Sequence, residues 1–323
     1  SFPTRRSSDL SVIMPAYNHK KFVEECIRSV MAETYPNVEL LVIDDGSKDG
    51  TWDKILSLKE VCEKRFVRFF AKRQENQGMN ITCNRLVNEA KGDYVCIVAS
   101  DDMVKPDKIA EEVRFMEAHP DYVLVTGDNE FIDENSVVVG CDDHCNPVPL
   151  NEAKYKTFGQ YLKAKYDFVD FNSDAFGSYE TLAKTNYIPN GCMWRMDALK
   201  QTGGWTDKVL LEDWYMNMQL AKLGKMKYLD KVLFCYRQHG TNTFQRRDYM
   251  RKLAYNARLR EYEVVNLPEN ARFKPLFEAV HLYQKMEFNL LGAIKVYKEV
   301  DLAHKKKVLE IFGRKFILSG RQR

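Results

Sequence analysis

The sequence predicts an α/β fold with a doubly wound, mostly parallel sheet, helices on both faces, and a C-terminal helical region. Short, continuously apolar runs alternate with helical stretches from Ser11 to about residue 127. Continuous apolar strands are typical of a parallel sheet that is covered on both faces. The chain has 323 residues and 45% hydrophobic content, which suits one large domain with an appendage, or two domains.

The elements follow one another in a regular order. SVIMP, from Ser11, is the first strand, and the helix from about Phe22 to Thr34 has an apolar face. VELLVID and VRFFAK are the second and third strands, and TWDKILSLKEVCEK and ITCNRLVNEA are the helices that follow them. YVCIVA is the fourth strand, Pro106 opens a helix that runs to about His119, and YVLVTG is the fifth strand.

Composition predicts the organisation of the chain and its surroundings. We expect residues 1–10 to be a non-native or disordered tail, residues 11–245 to form the catalytic domain, and residues 246–323 to be helical. The net charge of +3 gives no reason to expect nucleic-acid binding. The eight cysteines lack the spacing of a disulfide framework, which favours the cytoplasm. Cys141, His144 and Cys145 are candidate ligands of a structural metal, but no second pair completes that site.

The chain lacks an apolar run of the roughly 20 residues that a membrane-spanning helix needs. Its last 21 residues are basic, and Val308, Leu309, Phe312 and Phe316 share a face if the segment is helical. One expectation is that this helix binds peripherally to the anionic inner face of the plasma membrane. The alternative is a solvated terminal helix that docks on the catalytic domain.

Polar side chains follow three of the predicted strands. Tyr17, Asp45 and Asp102 come after the first, second and fourth strands. Because ligands bind outside the carboxyl ends of parallel strands, we expect these groups to meet in one crevice. Taken singly, Asp45 with Gly46 also suits a turn, and Asp102 also suits a helix cap.

Four stretches together resemble family-2 glycosyltransferases with the GT-A (nucleotide-diphospho-sugar transferase) fold, of the bacterial surface-polysaccharide type. They are the stretch from Ser11 to Thr51, GDYVCIVASDDMVKPDKI, GGWTDKVLLEDWYMNMQLAKLG and YRQHGTNT. The resemblance covers roughly residues 11–245. It implies transfer of a sugar from a nucleotide sugar, with inversion, by an enzyme of the hexosyltransferase class.

The resemblance and the chemistry of a diphosphate imply a nucleotide and metal site. Carboxylates beside a diphosphate need a divalent cation between them, and oxygen ligands suit Mn²⁺ or Mg²⁺. The expected metal ligands are Asp102 and His239. Asp45 is expected to accept the imide N–H of uracil, and Tyr17 to stack on the base. The expected nucleotide-binding residues are Pro15, Ala16, Tyr17, Asn18, Asp45, Asn76, Gly78, Asn84 and Asp101.

The acceptor side is expected in the later half of the chain. An inverting displacement needs a base for the acceptor hydroxyl, and the resemblance gives that role to Asp213, with Glu212 orienting the hydroxyl. Trp205 and Trp214 are candidate acceptor-stacking residues, although buried tryptophans are more often core.

The chain departs from the family pattern at two places. Cys83 stands where the family often has an arginine near the diphosphate, and Arg73 or Arg85 is the candidate substitute for that arginine. Gln219 stands at a second position where the family commonly has an arginine.

The predicted function is therefore metal-dependent transfer from a UDP-sugar to a saccharide or lipid-linked saccharide acceptor in surface polysaccharide synthesis. Two alternatives remain. A sugar-nucleotide nucleotidyltransferase normally has a glycine-rich phosphate loop after the first strand, which MPAYNHKKF lacks. A non-catalytic nucleotide-sugar-binding relative normally lacks the metal or base carboxylates, which are present here.

Overall fold

The computed structural model describes residues 10–209, 211–240, 242, 247–281, 284–290, 294–301, 306–311 and 314–319. In these ranges the main sheet has ten strands. They are β1 (Leu10–Ala16), β2 (Val38–Asp44), β3 (Arg68–Arg73), β4 (Tyr94–Ile97), β5 (Met103–Val104), β6 (Tyr122–Ile132), β7 (Val138–Cys141), β8 (Pro147–Val148), β9 (Met193–Arg195) and β10 (Lys225–Arg237).

Helices connect and cover these strands. They are α1 (Val23–Met31), α2 (Thr51–Ser57), α3 (Lys59–Arg65), α4 (Met79–Glu89), α5 (Lys108–Ala118), α6 (Phe158–Lys165), α7 (Tyr179–Leu182), α8 (Met196–Gln201), α9 (Glu212–Leu220), α10 (Arg247–Val265) and α11 (Lys274–His281). A 3₁₀ helix, Pro268–Phe273, precedes α11. No helix in the described ranges combines the length and apolar character needed to cross a bilayer.

The strand order is β3-β2-β1-β4-β9-β6-β10-β5, with β7 and β8 attached to β6. The first four strands of this order are parallel, and β6 is parallel to β10. The short strand β9 lies antiparallel between β4 and β6. The mostly parallel α/β sheet expected from the sequence is confirmed, and the carboxyl ends of β1, β2 and β4 meet at one edge.

Alternate residues of the central strands pack into two apolar cores, one on each face of the sheet. Val12 and Met14 of β1 pack in the cluster that holds α1, α2, α3 and α5. Ile13, between them, packs in the cluster that holds α4, α6, α8 and α9. Because both faces of the strand are buried, its sequence, LSVIMPA, is apolar at every position except Ser11. β1 begins at the fully buried Leu10, one residue before the expected start of the catalytic domain.

The predicted C-terminal helices are confirmed as far as His281, but the prediction of a helix is wrong beyond that residue. There the chain forms an antiparallel sheet of β11 (Gln284–Leu290), β12 (Ile294–Asp301), β13 (Lys306–Ile311) and β14 (Arg314–Ser319), paired in chain order. The β-branched and aromatic content of KKVLEI and RKFILS favours strands. Val308, Leu309 and Phe316 therefore do not share a helix face, and Phe312 lies outside the described residues. The expected membrane-binding helix loses its structural basis.

Candidate functional site

Asp101 and Asp102 lie in the turn between β4 and β5, and Arg237, the last residue of β10, fixes that turn. The Arg237 backbone N–H donates to Asp102 Oδ1 at 2.9 Å, and its Nε donates to the Asp101 carbonyl oxygen at 2.6 Å. The fully buried guanidinium also donates to Glu25 Oε2 at 2.7 Å. This role of Arg237 could not be predicted from the sequence, because an arginine that ends a strand has no distinctive spacing.

His19, Asp101 and His239 form what we call the histidine–aspartate cluster. Their ligand atoms all lie within 4.8 Å of one another, and no other described His, Cys, Asp and Glu side chains form such a group of three or more. His239 Nε2 is 2.9 Å from Asp101 Oδ2, and His19 Nδ1 is 3.7 Å from Asp101 Oδ1. His19 Nδ1 is also 2.8 Å from Ser100 Oγ.

The cluster differs from the expected metal site in its members and in its donor atoms. His239 was expected beside Asp102, but it contacts Asp101, and Asp102 is not part of the group. His19 was not predicted. Two imidazole nitrogens and one carboxylate oxygen suit Mn²⁺ and other first-row divalent ions better than Mg²⁺, which prefers oxygen. The CDDHC segment, Cys141–Cys145, forms no ligand group of this kind in the described structure.

The pKa values of the two carboxyl groups of the pair are shifted in opposite directions. Burial, reinforced by the charge of Asp101, raises the pKa of Asp102 well above its usual range. Burial acts in the same direction on Asp101, but the hydrogen bond with His239 and the charges of His19 and His239 outweigh it, so the pKa of Asp101 is lowered. Asp101 therefore loses its proton more readily than Asp102 does.

Asp45 is buried after β2 and anchors the loop from Gln74 to Gly78. Its Oδ1 accepts hydrogen bonds from Gln74 Nε2 at 2.7 Å and from the Gln77 N–H at 2.8 Å. Its Oδ2 accepts the Gly78 N–H at 2.8 Å. A carboxylate oxygen can accept two hydrogen bonds, so Oδ2 has capacity for one more donor.

The turn after β2 and this loop pack closely. Gly46 has φ 78°, and a Cβ on it would lie 2.8 Å from the Asn76 nitrogen. Arg73 and Arg85, the two candidate substitutes for the family arginine at position 83, both make hydrogen bonds here. Arg73 Nη2 donates to the Ser47 carbonyl oxygen at 2.7 Å, and Arg85 Nη1 donates to Gln74 Oε1.

The segment after β1 lies at the same edge of the sheet. Pro15 and Ala16 are buried at the end of β1, whereas Tyr17 is 47% exposed and so has a ring face available for stacking. Asn18 has φ 54°, and its Oδ1 accepts the Lys48 N–H at 2.9 Å. This bond joins the turns that follow β1 and β2. Asn76 is exposed on the facing loop.

A cavity of about 210 Å³, which we call the central cavity, lies between the acidic pair and the start of α9. Asp102 lines it together with Glu212 and Asp213, at the start of α9. Its remaining walls are mostly apolar and include Trp194 and Trp205. The structure thus brings together one carboxyl group of the acidic pair and both residues predicted to act on the acceptor.

Glu212 and Asp213 both have raised pKa values. Burial and the charge of Asp213 raise the pKa of Glu212 to about 7. Asp213 is exposed to the cavity, but the protein surrounds its carboxyl group on most sides and limits its hydration, which raises its pKa. Hydrogen bonds from the Trp214 N–H at 2.6 Å and from Asn186 Nδ2 at 2.9 Å partly oppose this increase.

The two tryptophans predicted for the acceptor have different positions. Trp205 is largely buried but lines the central cavity, with its ring centroid 5.9 Å from that of Trp194. Trp214 is 2% exposed, its Nε1 donates to the Leu182 carbonyl oxygen at 2.7 Å, and Arg258 packs over its ring. Trp214 is a core residue, and the structure does not support the acceptor role predicted for it.

Asn84 contacts the segment that leads to α9. Its Nδ2 donates to the Trp205 carbonyl oxygen at 2.6 Å, and its Oδ1 accepts the Trp205 N–H at 2.8 Å. Both ends of the side-chain amide are therefore engaged with this segment, and the nucleotide-binding role of Asn84 stays a prediction.

Gln219 occupies the second position where the family often has arginine. Its Nε2 donates to Glu261 Oε2 at 2.6 Å, and Glu261 also pairs with Lys222 at 2.7 Å. Glu261 lies on α10, so the hydrogen bond from Gln219 joins α9 to α10, and the ion pair with Lys222 joins the turn after α9 to the same helix.

Comparison with known proteins agrees with this architecture. The profile of Glycosyl transferase family 2 matches residues 11–176, just over half of the chain. TuaG of Bacillus subtilis (strain 168), named as a candidate teichuronic acid biosynthesis glycosyltransferase, is 23% identical over 264 residues. That match covers 74% of this chain and 97% of TuaG.

Two solved structures share the fold. The mannosyltransferase PcManGT from Pyrobaculum calidifontis, in complex with GDP-Man and Mn²⁺, has a TM-score of 0.61 at 18% identity, covering 87% of this chain and 71% of its own. S. aureus TarS 1-349, in complex with UDP-GlcNAc, has a TM-score of 0.56 at 18% identity, covering 84% and 71%. The expected GT-A fold is confirmed. The chain belongs to glycosyl transferase family 2 and is a nucleotide-sugar-dependent glycosyltransferase.

Proposed function

We propose that this glycosyltransferase moves a sugar from a UDP-sugar to a saccharide or lipid-linked saccharide acceptor, with inversion and with the help of a divalent cation, in surface polysaccharide synthesis. One observation carries the proposal: the central cavity is lined both by Asp102 of the acidic pair and by Glu212 and Asp213. A single displacement needs the leaving diphosphate and the acceptor base on opposite sides of the transferred sugar. The name of TuaG supports the polysaccharide context.

The donor nucleotide is proposed from the turns after β1 and β2. Asp45 Oδ2 accepts one N–H within the protein and can accept another, which suits the imide N–H of uracil. The exposed ring of Tyr17 offers a stacking face. TarS was solved with UDP-GlcNAc and PcManGT with GDP-Man, so the fold accommodates either base, and Asp45 is our reason for choosing UDP.

The histidine–aspartate cluster is the proposed cation site. Its His₂Asp donor set fits a divalent first-row ion, and PcManGT was solved with Mn²⁺. When bound, such a cation neutralises the charge that develops on a leaving diphosphate. Arg237 holds Asp101 and Asp102 in place through the bonds to the Asp101 carbonyl oxygen and Asp102 Oδ1.

Asp213 is the proposed base. Its carboxyl group faces the central cavity, and its raised pKa makes it a better proton acceptor than an ordinary aspartate. Glu212, beside it, is the proposed partner of an acceptor hydroxyl. The alternative of a nucleotidyltransferase is not supported, because the family match and the cavity carboxylates both favour glycosyl transfer.

Turnover of a panel of UDP- and GDP-sugars with Mn²⁺, measured by release of nucleoside diphosphate, tests the proposal. We expect at least one UDP-sugar to be turned over. We also expect Asp45→Asn to weaken UDP binding, because the amide nitrogen cannot accept an N–H. Turnover restricted to GDP-sugars would remove the uracil assignment, and binding of nucleotide sugars without any turnover would favour the non-catalytic alternative.

A further inference from the structure

Asn186 lies between α7 and β9, outside every sequence motif that predicted the site. Its Nδ2 donates to Asp213 Oδ2 at 2.9 Å. Its Oδ1 accepts hydrogen bonds from Asn217 Nδ2 and from the Ile188 N–H, both at 3.4 Å. Because these two donors occupy the amide oxygen, the amide nitrogen must face Asp213.

The segment that carries Asn186 is anchored on both sides. The next residue, Tyr187, is 1% exposed, and its hydroxyl accepts the Gly177 N–H at 2.7 Å. At the end of α7, just before the segment, the Leu182 carbonyl oxygen accepts Trp214 Nε1–H from α9 at 2.7 Å. Asn186 is therefore held in position relative to α9 before any ligand binds, which is the condition for a preorganised contact.

The surroundings of Asp213 make this contact important. Its Oδ1 accepts the Trp214 N–H at 2.6 Å, so Asn186 supplies the hydrogen bond on the other oxygen. The charged or titratable groups nearby are anionic or neutral, and no cation lines the described part of the cavity. They are Glu212 on the same helix, Asp102 after β4, Tyr236 on β10, Cys83 on α4 and Cys192 before β9.

We propose that Asn186 is a positioning residue, which keeps the Asp213 carboxylate ionised and turned toward the acceptor hydroxyl. The proposal rests on the role of Asp213 as base given above. Burial favours the protonated form of Asp213, and donors to the carboxylate favour the ionised form. Removing the Asn186 donor should therefore raise the pKa of Asp213 further and leave Oδ2 without its partner.

The test measures turnover against pH for Asn186→Leu and Asn186→Asp, with UDP affinity and melting temperature as controls for folding. Asn186→Leu removes the donor at similar size, so the acidic limb of the kcat profile should move about one unit to higher pH. At pH values below this limb, kcat of Asn186→Leu should be about tenfold lower than that of the parent protein, while its UDP affinity stays within twofold of the parent value. Asn186→Asp keeps the shape but places a second carboxylate against Asp213, so its limb should move further.

Asn146→Leu is the matched control, because Asn146 Nδ2 donates to Asp142 Oδ2 at 2.8 Å outside the central cavity. Its pH profile should match that of the parent protein. An unshifted profile in both Asn186 variants, with Asp213→Asn inactive, would overturn the role of Asn186 alone. Full turnover in Asp213→Asn would instead overturn the base assignment and this proposal with it.

Discussion

Asn84 on α4 and Trp205 in the segment before α9 are joined by two hydrogen bonds, from Asn84 Nδ2 to the Trp205 carbonyl oxygen and from the Trp205 N–H to Asn84 Oδ1. One turn earlier, Asn80 Nδ2 donates to the carbonyl oxygens of Thr206 and Val209 at 2.6 and 2.7 Å. α4 starts directly after the loop that Asp45 holds. The helix thus ties the proposed nucleotide side of the site to the segment that leads to Glu212.

Asn84→Ala should lower kcat about tenfold and leave UDP affinity nearly unchanged. Each lost hydrogen bond is worth about 0.5–1.5 kcal/mol, and the loosened segment carries Trp205 and leads to Glu212 and Asp213. Calorimetric UDP binding and steady-state kinetics separate the two effects. A loss of UDP affinity without a change in kcat would restore the nucleotide-binding role that the sequence predicted for Asn84.

Chelation should abolish transfer, and Mn²⁺ should restore it better than Mg²⁺ because two of the three cluster ligands are imidazoles. His19→Ala should weaken Mn²⁺ binding about tenfold or more, since it removes one of those ligands. His119→Ala is the matched control, because His119 stacks on Phe115 and is not part of the cluster.

Direct Mn²⁺ binding should also separate the two aspartates. Asp101→Asn should lower Mn²⁺ affinity more than Asp102→Asn does. The reverse order, or an unchanged affinity in His19→Ala, would return the metal site to the Asp102 and His239 pair expected from sequence.

Turnover should rise with pH through about 7. The pKa of Glu212 is about 7, and that of its neighbour Asp213 is also raised, so the pair loses its last proton near neutrality. A base must be deprotonated to act, so activity should be lost as pH falls through this region. Glu212→Gln should move the limb to lower pH, because the remaining carboxylate no longer shares a proton. A flat profile between pH 5 and 8 would be inconsistent with two raised carboxyl groups at the reacting centre.

Asp213→Asn should reduce turnover about a hundredfold or more while UDP affinity is unchanged, because the amide keeps the size of the side chain but cannot accept the proton. Glu212→Gln is the paired variant. If turnover persists in Asp213→Asn and collapses in Glu212→Gln, the two roles are exchanged.

The sequence predicted the part of the site that follows from strand periodicity. β1, β2 and β4 are apolar at nearly every position, so we could expect their ends, and with them Tyr17, Asp45 and Asp102, to lie in one crevice. The resemblance added Glu212 and Asp213, which line the same cavity as Asp102.

The contacts that depend on the fold of distant segments could not be predicted in this way. His19 and His239 are 220 residues apart in the chain and meet only because β1 and β10 end at the same edge of the sheet. β9 has only three residues, which is too few to show a strand period. The burial of Trp214 could not be predicted either, because its position on a helix does not say which face of the helix is buried. The apolar residues of the C-terminal strands also fit a helical period, so their spacing alone predicted a helix.

The stereochemistry of the first-formed product tests the central claim most directly. Time-resolved proton NMR can follow the anomeric proton during turnover of an α-linked UDP-sugar, with transfer either to an acceptor or to water. A single displacement assisted by Asp213 predicts that the β-anomer appears first, before any mutarotation. An α-anomer as the first product would contradict the inverting mechanism and the role of Asp213 as its base.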